Sequence, residues 1–181
     1  MNYSFRKKNK TVKYIVIHYT GMKSLKDAYL KLTNLNSGVS AHYLISKKGI
    51  IINLLCPRIK AWHAGKSKWK NHKNINDYSI GIELENKGHE FGYESFSKMQ
   101  YHALNNLINF LLLNYYLKHN DIIFHSDISP KRKKDPGEKF YMNKLQINRF
   151  ANISPSKKNY TITELLEIYG FNKSYIKRYK N

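Results

Sequence analysis

The chain has almost no cysteine. Of its 181 residues only Cys56 carries a thiol, so no disulfide can form within one chain and a cysteine-based zinc finger is excluded. Long apolar runs are missing too, and no stretch approaches the roughly 20 residues of a membrane span. The basic N-terminus, Met1 to Lys8, lacks the apolar core of a secretory leader. The expectation is a cytoplasmic protein, or a periplasmic or cell-envelope one where a leader has been removed. Acidic residues are scarce: 12 Asp and Glu stand against 32 Lys and Arg, a formal net charge of +20.

That excess admits an anionic partner such as nucleic acid, an anionic membrane or an acidic cell-wall polymer. Arginine, however, is confined to Arg6, Arg58, Arg132, Arg149 and Arg178, and phosphate readers favour its bidentate fork. The lysines are scattered over the whole chain rather than gathered. Lys, Asn, Ile and Tyr, all abundant here, share A/T-rich codons, so compositional drift accounts for the charge and no nucleic-acid partner is expected. What is plentiful is apolar: 41% hydrophobic residues suffice for a packed core. The length suggests one domain.

Hydrophobic patterning organises that domain. Residues 1–12 read as a polar, basic arm. Tyr14–His18 is β-branched and apolar on both faces, as in a buried central strand. Ser24 is a candidate N-cap for a helix to about Leu35. Two short strands, near Ala41–Ser46 and Ile50–Leu55, flank a Lys47-Lys48-Gly49 hairpin loop. Residues 61–77 read as loop. Tyr78–Glu85 alternates as a strand, and Ser95–Leu117 carries the spacing of a long amphipathic helix. Asp121–His125 is a short strand, Ser126–Glu138 a polar loop, and a short helix is expected near Asn143–Arg149. Residues 151–181 read as a linker and a short helical extension. The fold class expected is α/β, one domain with a central mixed sheet flanked by helices.

Sheets of this kind carry their sites where strands end in polar side chains. One strand here ends at His18, one carries Glu83 and one ends at His125. Asp135 follows ten residues after His125, fixed by the Pro136-Gly137 turn. Two imidazoles and a carboxylate make a zinc set with the fourth position open for water, the mark of a catalytic rather than a structural metal. Glu83 is left free as a base, and Lys133 can offset developing negative charge. His72, His89, His102 and His119 fall in loops or on a polar helix face and read as packed or surface groups.

The segment His125-Ser-Asp-Ile-Ser-Pro-Lys-Arg-Lys-Lys-Asp135-Pro-Gly resembles the signature of zinc-dependent N-acetylmuramoyl-L-alanine amidases of the type-2 family, which includes the peptidoglycan-recognition fold and phage amidase lysozymes. Tyr14-Ile-Val-Ile-His18, Ser40-Ala-His-Tyr-Leu-Ile45, Ala61-Trp-His-Ala-Gly65 and Ser79-Ile-Gly-Ile-Glu-Leu-Glu-Asn86 follow the same family's order. The match is nearest to the bacterial branch acting on anhydro-muropeptides and murein. The resemblance covers about residues 13–150 and implies that His18, His125 and Asp135 hold one zinc ion. It implies that Glu83 is the general base and acid and that Lys133 stabilises the oxyanion. Trp62 and His63 match the block that lines the substrate cleft.

The implied reaction is hydrolysis of the amide between N-acetylmuramic acid, or its 1,6-anhydro form, and L-alanine of the stem peptide. Peptidoglycan and soluble anhydro-muropeptide both remain open as substrates, and a monomer is expected. A non-catalytic peptidoglycan-binding module of the same fold would lack a ligand or the base, and none is missing. A glycosidase needs two carboxylates across a cleft, whereas Glu83 and Glu85 share one strand face. The tail beyond Pro155 matches no cell-wall-binding module.

Overall fold

A computed structural model of the chain describes residues 2–145. The expectations for the Asn143–Arg149 helix beyond Leu145, and for residues 151–181, lie outside the described residues. The strands are β1 (Tyr3–Phe5), β2 (Tyr14–Tyr19), β3 (Tyr43–Ile45), β4 (Ile51–Asn53), β5 (Ile59–Ala61), β6 (Lys68–Trp69), β7 (His72–Lys73), β8 (Ser79–Leu84) and β9 (Ile122–Phe124). The helices are α1 (Leu25–Thr33), α2 (Gly88–Phe91), α3 (Lys98–Asn114) and α4 (His125–Ile128).

The central sheet runs β4-β3-β8-β2-β9. The pairs β3·β8, β8·β2 and β2·β9 are parallel, and β4 adds an antiparallel edge through its hairpin with β3. Alternation along the strands sorts two faces. Ile15, Ile17, Tyr43, Ile45, Ile80, Ile82 and Leu84 meet Leu104, Leu107, Ile108 and Leu111 of α3 in the main core. Each fully buried Leu or Ile there contributes roughly 1.5–3 kcal/mol. α3 begins where Ser97 Oγ accepts from Gln100 N while the Gln100 side chain accepts from Ser97 N, a reciprocal capping box.

The opposite face carries Tyr14, Val16, Ile123 and Leu44, then the polar residues of the site. It is covered on one side by α1, whose Ala28 and Leu32 pack on Ala41 and Leu44. On the other it is covered by Ala64, Ile75, Tyr78 and Ile128. The cleft lies between these two covers.

Three expectations change. The N-terminal arm is partly docked: β1 pairs antiparallel with β5, and buried Asn2 donates to the carbonyls of Leu32 and Val39 at 3.0 and 2.9 Å. Arg6 donates to the carbonyls of Pro57, Asn76 and Ser79, and burial lowers its pKa to about 10. The sequence reads this segment only as a polar, basic arm, but a guanidinium that satisfies loop carbonyls serves as a clamp. Residues 61–77 are not all loop, since β6 and β7 form a small hairpin and Ile75–Asp77 a 3-10 turn. His125 does not end β9 but opens α4, so the strand-to-helix step falls at that residue.

Candidate active site

Register builds the first half of the site. His18 lies directly beside Glu83 on the parallel β2 and β8. On the other flank Ile17 pairs with Phe124, the residue before His125. Glu83, His18 and His125 thus form a row across three adjacent strands at their C-terminal ends, where open α/β sheets place their ligands. The second half comes from the loop after α4. Ser126 N donates to Asp135 O at 2.9 Å, folding the loop back so that the Asp135 carboxylate meets the row. Ser129 Oγ donates to Lys66 O at 2.7 Å, and Arg132 Nη2 to Ala64 O at 2.9 Å, which ties this loop to the opposite wall.

His18, His125 and Asp135 are buried and converge, with one ligand atom from each lying within 4.8 Å of the others. His18 Nδ1 is 2.9 Å from His125 Nδ1 and 2.9 Å from Asp135 Oδ2, and His125 Nδ1 is 3.0 Å from the same oxygen. The far nitrogen of His125, Nε2, is 3.2 Å from the Ala64 carbonyl, which can only accept. The proton of that ring therefore sits on Nε2, and Nδ1 presents a lone pair to the cluster. Lone pairs crowded at such distances repel unless a cation lies among them. The donor set of two imidazoles and one carboxylate fits a zinc ion with an open position.

The electrostatics agree. Burial, and then His125 beside it, push the His18 pKa down to about 4, so the ring is neutral and able to ligate. Burial works to raise the Asp135 pKa, but the two imidazoles beside its carboxylate, His125 and His18, prevail and hold it below the ordinary carboxylate range. Glu83 behaves oppositely: burial, and then Asp135, push it well above its usual value, with Lys133 opposing. Glu83 as a whole residue is half-buried, yet its Oε2 is shut from solvent and has no hydrogen-bond partner. A buried carboxylate oxygen without a partner is costly, and this one belongs to a residue that lines the cleft.

The cleft has a volume of about 450 Å³, and His18, Glu83, His125, Lys133 and Asp135 all line it. The sequence-selected pair at Ala61–Gly65 separates. His63 lines the cleft, with its ring largely buried and Nδ1 3.0 Å from His18 Nε2. Trp62 is not among the cleft-lining residues, and its indole Nε1 donates to Ser4 Oγ at 3.1 Å.

Two histidines gain a place that the sequence did not signal. His89, read as a surface group, lies on the cleft wall, stacked on Tyr93 with centroids 4.3 Å apart and bonded to the Tyr19 hydroxyl at 2.8 Å. His42 is fully buried, with Nδ1 accepting from Gly81 N at 2.9 Å and Nε2 donating to Ile59 O at 3.0 Å. The one hint in the sequence is Gly81 itself, since glycine inside a strand marks a close approach. A Cβ at that position would meet His63 Cγ at 2.4 Å.

Comparisons with known proteins follow this geometry. Residues 8–138 match the family described as N-acetylmuramoyl-L-alanine amidase. The chain is 36% identical over 141 residues to the N-acetylmuramoyl-L-alanine amidase AmiD of Escherichia coli, covering 71% of this chain and 50% of that protein. It is 41% identical over 103 residues to the 1,6-anhydro-N-acetylmuramyl-L-alanine amidase AmpD of Haemophilus influenzae, covering 56% of this chain and 54% of that one. The chain spans about half the length of the curated relatives it matches. Among solved structures it is similar to E. coli AmiD in complex with the substrate anhydro-N-acetylmuramic acid-L-Ala-D-gamma-Glu-L-Lys, with TM-score 0.67, 36% identity and coverage of 74% of this chain and 56% of that one. AmpDh3 of Pseudomonas aeruginosa in complex with anhydromuramic pentapeptide gives TM-score 0.68 and 33% identity, covering 74% and 58%.

Proposed function

Because the chain belongs to the N-acetylmuramoyl-L-alanine amidase family, we propose that it hydrolyses the amide bond between N-acetylmuramic acid, in its 1,6-anhydro form, and L-alanine of the stem peptide. The observation that carries this reading is the convergence of His18, His125 and Asp135 beside Glu83 on the floor of one cleft. Held by those three residues, a zinc ion would supply a water of lowered pKa and polarise the scissile carbonyl.

The chain's own residues do the rest. Glu83 takes the proton of the attacking water and returns it to the departing L-alanine amine. Its raised affinity for protons suits both halves of that exchange. Lys133, half-buried on the same cleft, offsets the charge that develops on the carbonyl oxygen. Burial of His18 and Asp135 lowers the screening of the charges between them. The choice of a soluble anhydro-muropeptide over intact murein is supported by the ligands of the AmiD and AmpDh3 complexes.

Mass spectrometry of digests tests the proposal, comparing purified anhydro-muropeptide with intact sacculi. Free peptide with N-terminal L-alanine and no new reducing sugar end is the expected product, formed faster from the soluble substrate. New reducing ends, with peptide still attached to muramic acid, would contradict it.

A further inference from the structure

We infer that His63 is a positioning residue that fixes the ring proton of His18, through a hydrogen-bonded chain ending at the backbone carbonyl of Ile75. The inference rests on the metal reading of His18, His125 and Asp135 above. The chain runs His18 Nε2 to His63 Nδ1 at 3.0 Å, His63 Nε2 to Ser79 Oγ at 3.1 Å, and Ser79 Oγ to Ile75 O at 2.7 Å.

Proton counting gives it a direction. The Ile75 carbonyl can only accept, so the single hydroxyl proton of Ser79 goes there. Ser79 Oγ must then accept, and the proton of the next link sits on His63 Nε2. The neutral His63 ring has one donor and one acceptor, so its Nδ1 accepts from His18 Nε2. With its proton on Nε2, His18 turns a lone pair on Nδ1 toward His125 and Asp135. The backbone thus dictates, three links away, which nitrogen of His18 faces the cluster. All three side chains of the relay are buried, and His63 lies against the Cα of Gly81, where any Cβ would meet its ring. Hydrogen bonds at both ring nitrogens set the orientation of His63, and with it the direction of the chain. His63 also borders the cleft, and its hydrogen bond to His18 Nε2 is what gives it a positioning role.

The test compares wild type, His63→Phe, His63→Asn and Ser79→Ala for zinc affinity, by competition with a chromophoric chelator. Histidine 15N spectra of the metal-free proteins read the tautomers. Phe keeps ring volume without an acceptor, and Asn returns an oxygen near the Nδ1 position. The expected result is His18 in the Nε2–H form in wild type, zinc affinity lowered 10–100-fold in His63→Phe, and most of that loss recovered in His63→Asn. KM for anhydro-muropeptide at saturating zinc should stay within about twofold of wild type. Circular dichroism checks folding; if His63→Phe fails it, His63→Asn and Ser79→Ala decide, with Ser79→Ala expected to lower zinc affinity severalfold. Unchanged zinc affinity in the folded variants overturns the relay alone. A raised KM with zinc affinity intact also overturns it, by making His63 a wall of the substrate cleft. Wild-type protein that binds no zinc ends the metal reading and the relay together.

Discussion

His18 and Glu83 are cross-strand neighbours: the register of parallel β2 and β8 sets them side by side. Because strand pairing fixes that spacing, a proposed metal ligand and a proposed proton carrier are held by one ladder of backbone hydrogen bonds. Their side chains can be changed one at a time without moving the other.

Metal removal is the simplest consequence. Chelation of the protein should abolish amide hydrolysis, and added zinc should restore it. His125→Ala or Asp135→Ala should each weaken zinc binding while far-ultraviolet circular dichroism stays native, since the α3 core does not use these residues. Full turnover in protein shown by elemental analysis to be metal-free would sink the zinc assignment.

Glu83→Gln separates chemistry from binding. Zinc content should remain that of wild type while turnover falls by about 10²–10⁴, the usual worth of a general acid–base group. Glu85→Ala serves as the control. Glu85 Oε2 accepts from Lys47 N at 2.7 Å, so its loss should cost stability, on the order of 1–3 kcal/mol, and little rate. A larger rate loss at Glu85 than at Glu83 would place the base on the wrong residue.

Acid should weaken the fold through His42. Burial, with the charge of Arg6 adding to it against the hydrogen bond to the Ile59 carbonyl, lowers its pKa from 6.5 to about 3. Between those values the unfolded chain binds the proton and the folded one does not, so stability falls as pH drops from about 6.5 toward 3. Urea denaturation at pH 7, 5.5 and 4.5 should show this decline. His42→Asn, which keeps an acceptor for Gly81 N, should lose less stability over the same interval. An equal slope in both proteins would mean the protons go elsewhere.

Gly81→Ala tests the tight packing behind the ligands. Its Cβ would meet His63 Cγ at 2.4 Å, and overpacking of this kind costs typically 1–3 kcal/mol. Thermal denaturation should show a clear drop in midpoint. An unchanged midpoint would mean the ring has room to retreat.

Where the sequence could be read, local chemistry was strong. Ser24 does cap α1, which ends at Thr33 rather than Leu35. The alternation at Ile80, Ile82 and Leu84 does mark β8, and the helical spacing read over Ser95–Leu117 does mark α3, which runs Lys98–Asn114. The fold class and the convergence of His18, His125 and Asp135 could be anticipated because each histidine ends or follows an apolar run and Asp135 stands at the Pro136-Gly137 turn ten residues after His125. The misses have a common cause. β1 and β5 are three residues each and exist through pairing across more than fifty positions of sequence, which no local period records. The depth of His63 and the place of His89 on the cleft wall likewise depend on what other segments bring to them. Trp62 and His63 are adjacent in sequence, yet one points to Ser4 and the other to His18.

The placement of β2 between β8 and β9 also sets an order of events in synthesis. His18 leaves the ribosome well before its proposed co-ligands, which lie 107 and 117 residues later. A nascent chain stalled before residue 122 has neither β9 nor two of the three donors, and its central strand still shows an open edge. During synthesis metal capture therefore cannot nucleate this fold; it can only seal it once β9 has docked. Bridging donors so far apart would then cross-link nearly the whole domain, so a holo form should unfold far more slowly than the apo form.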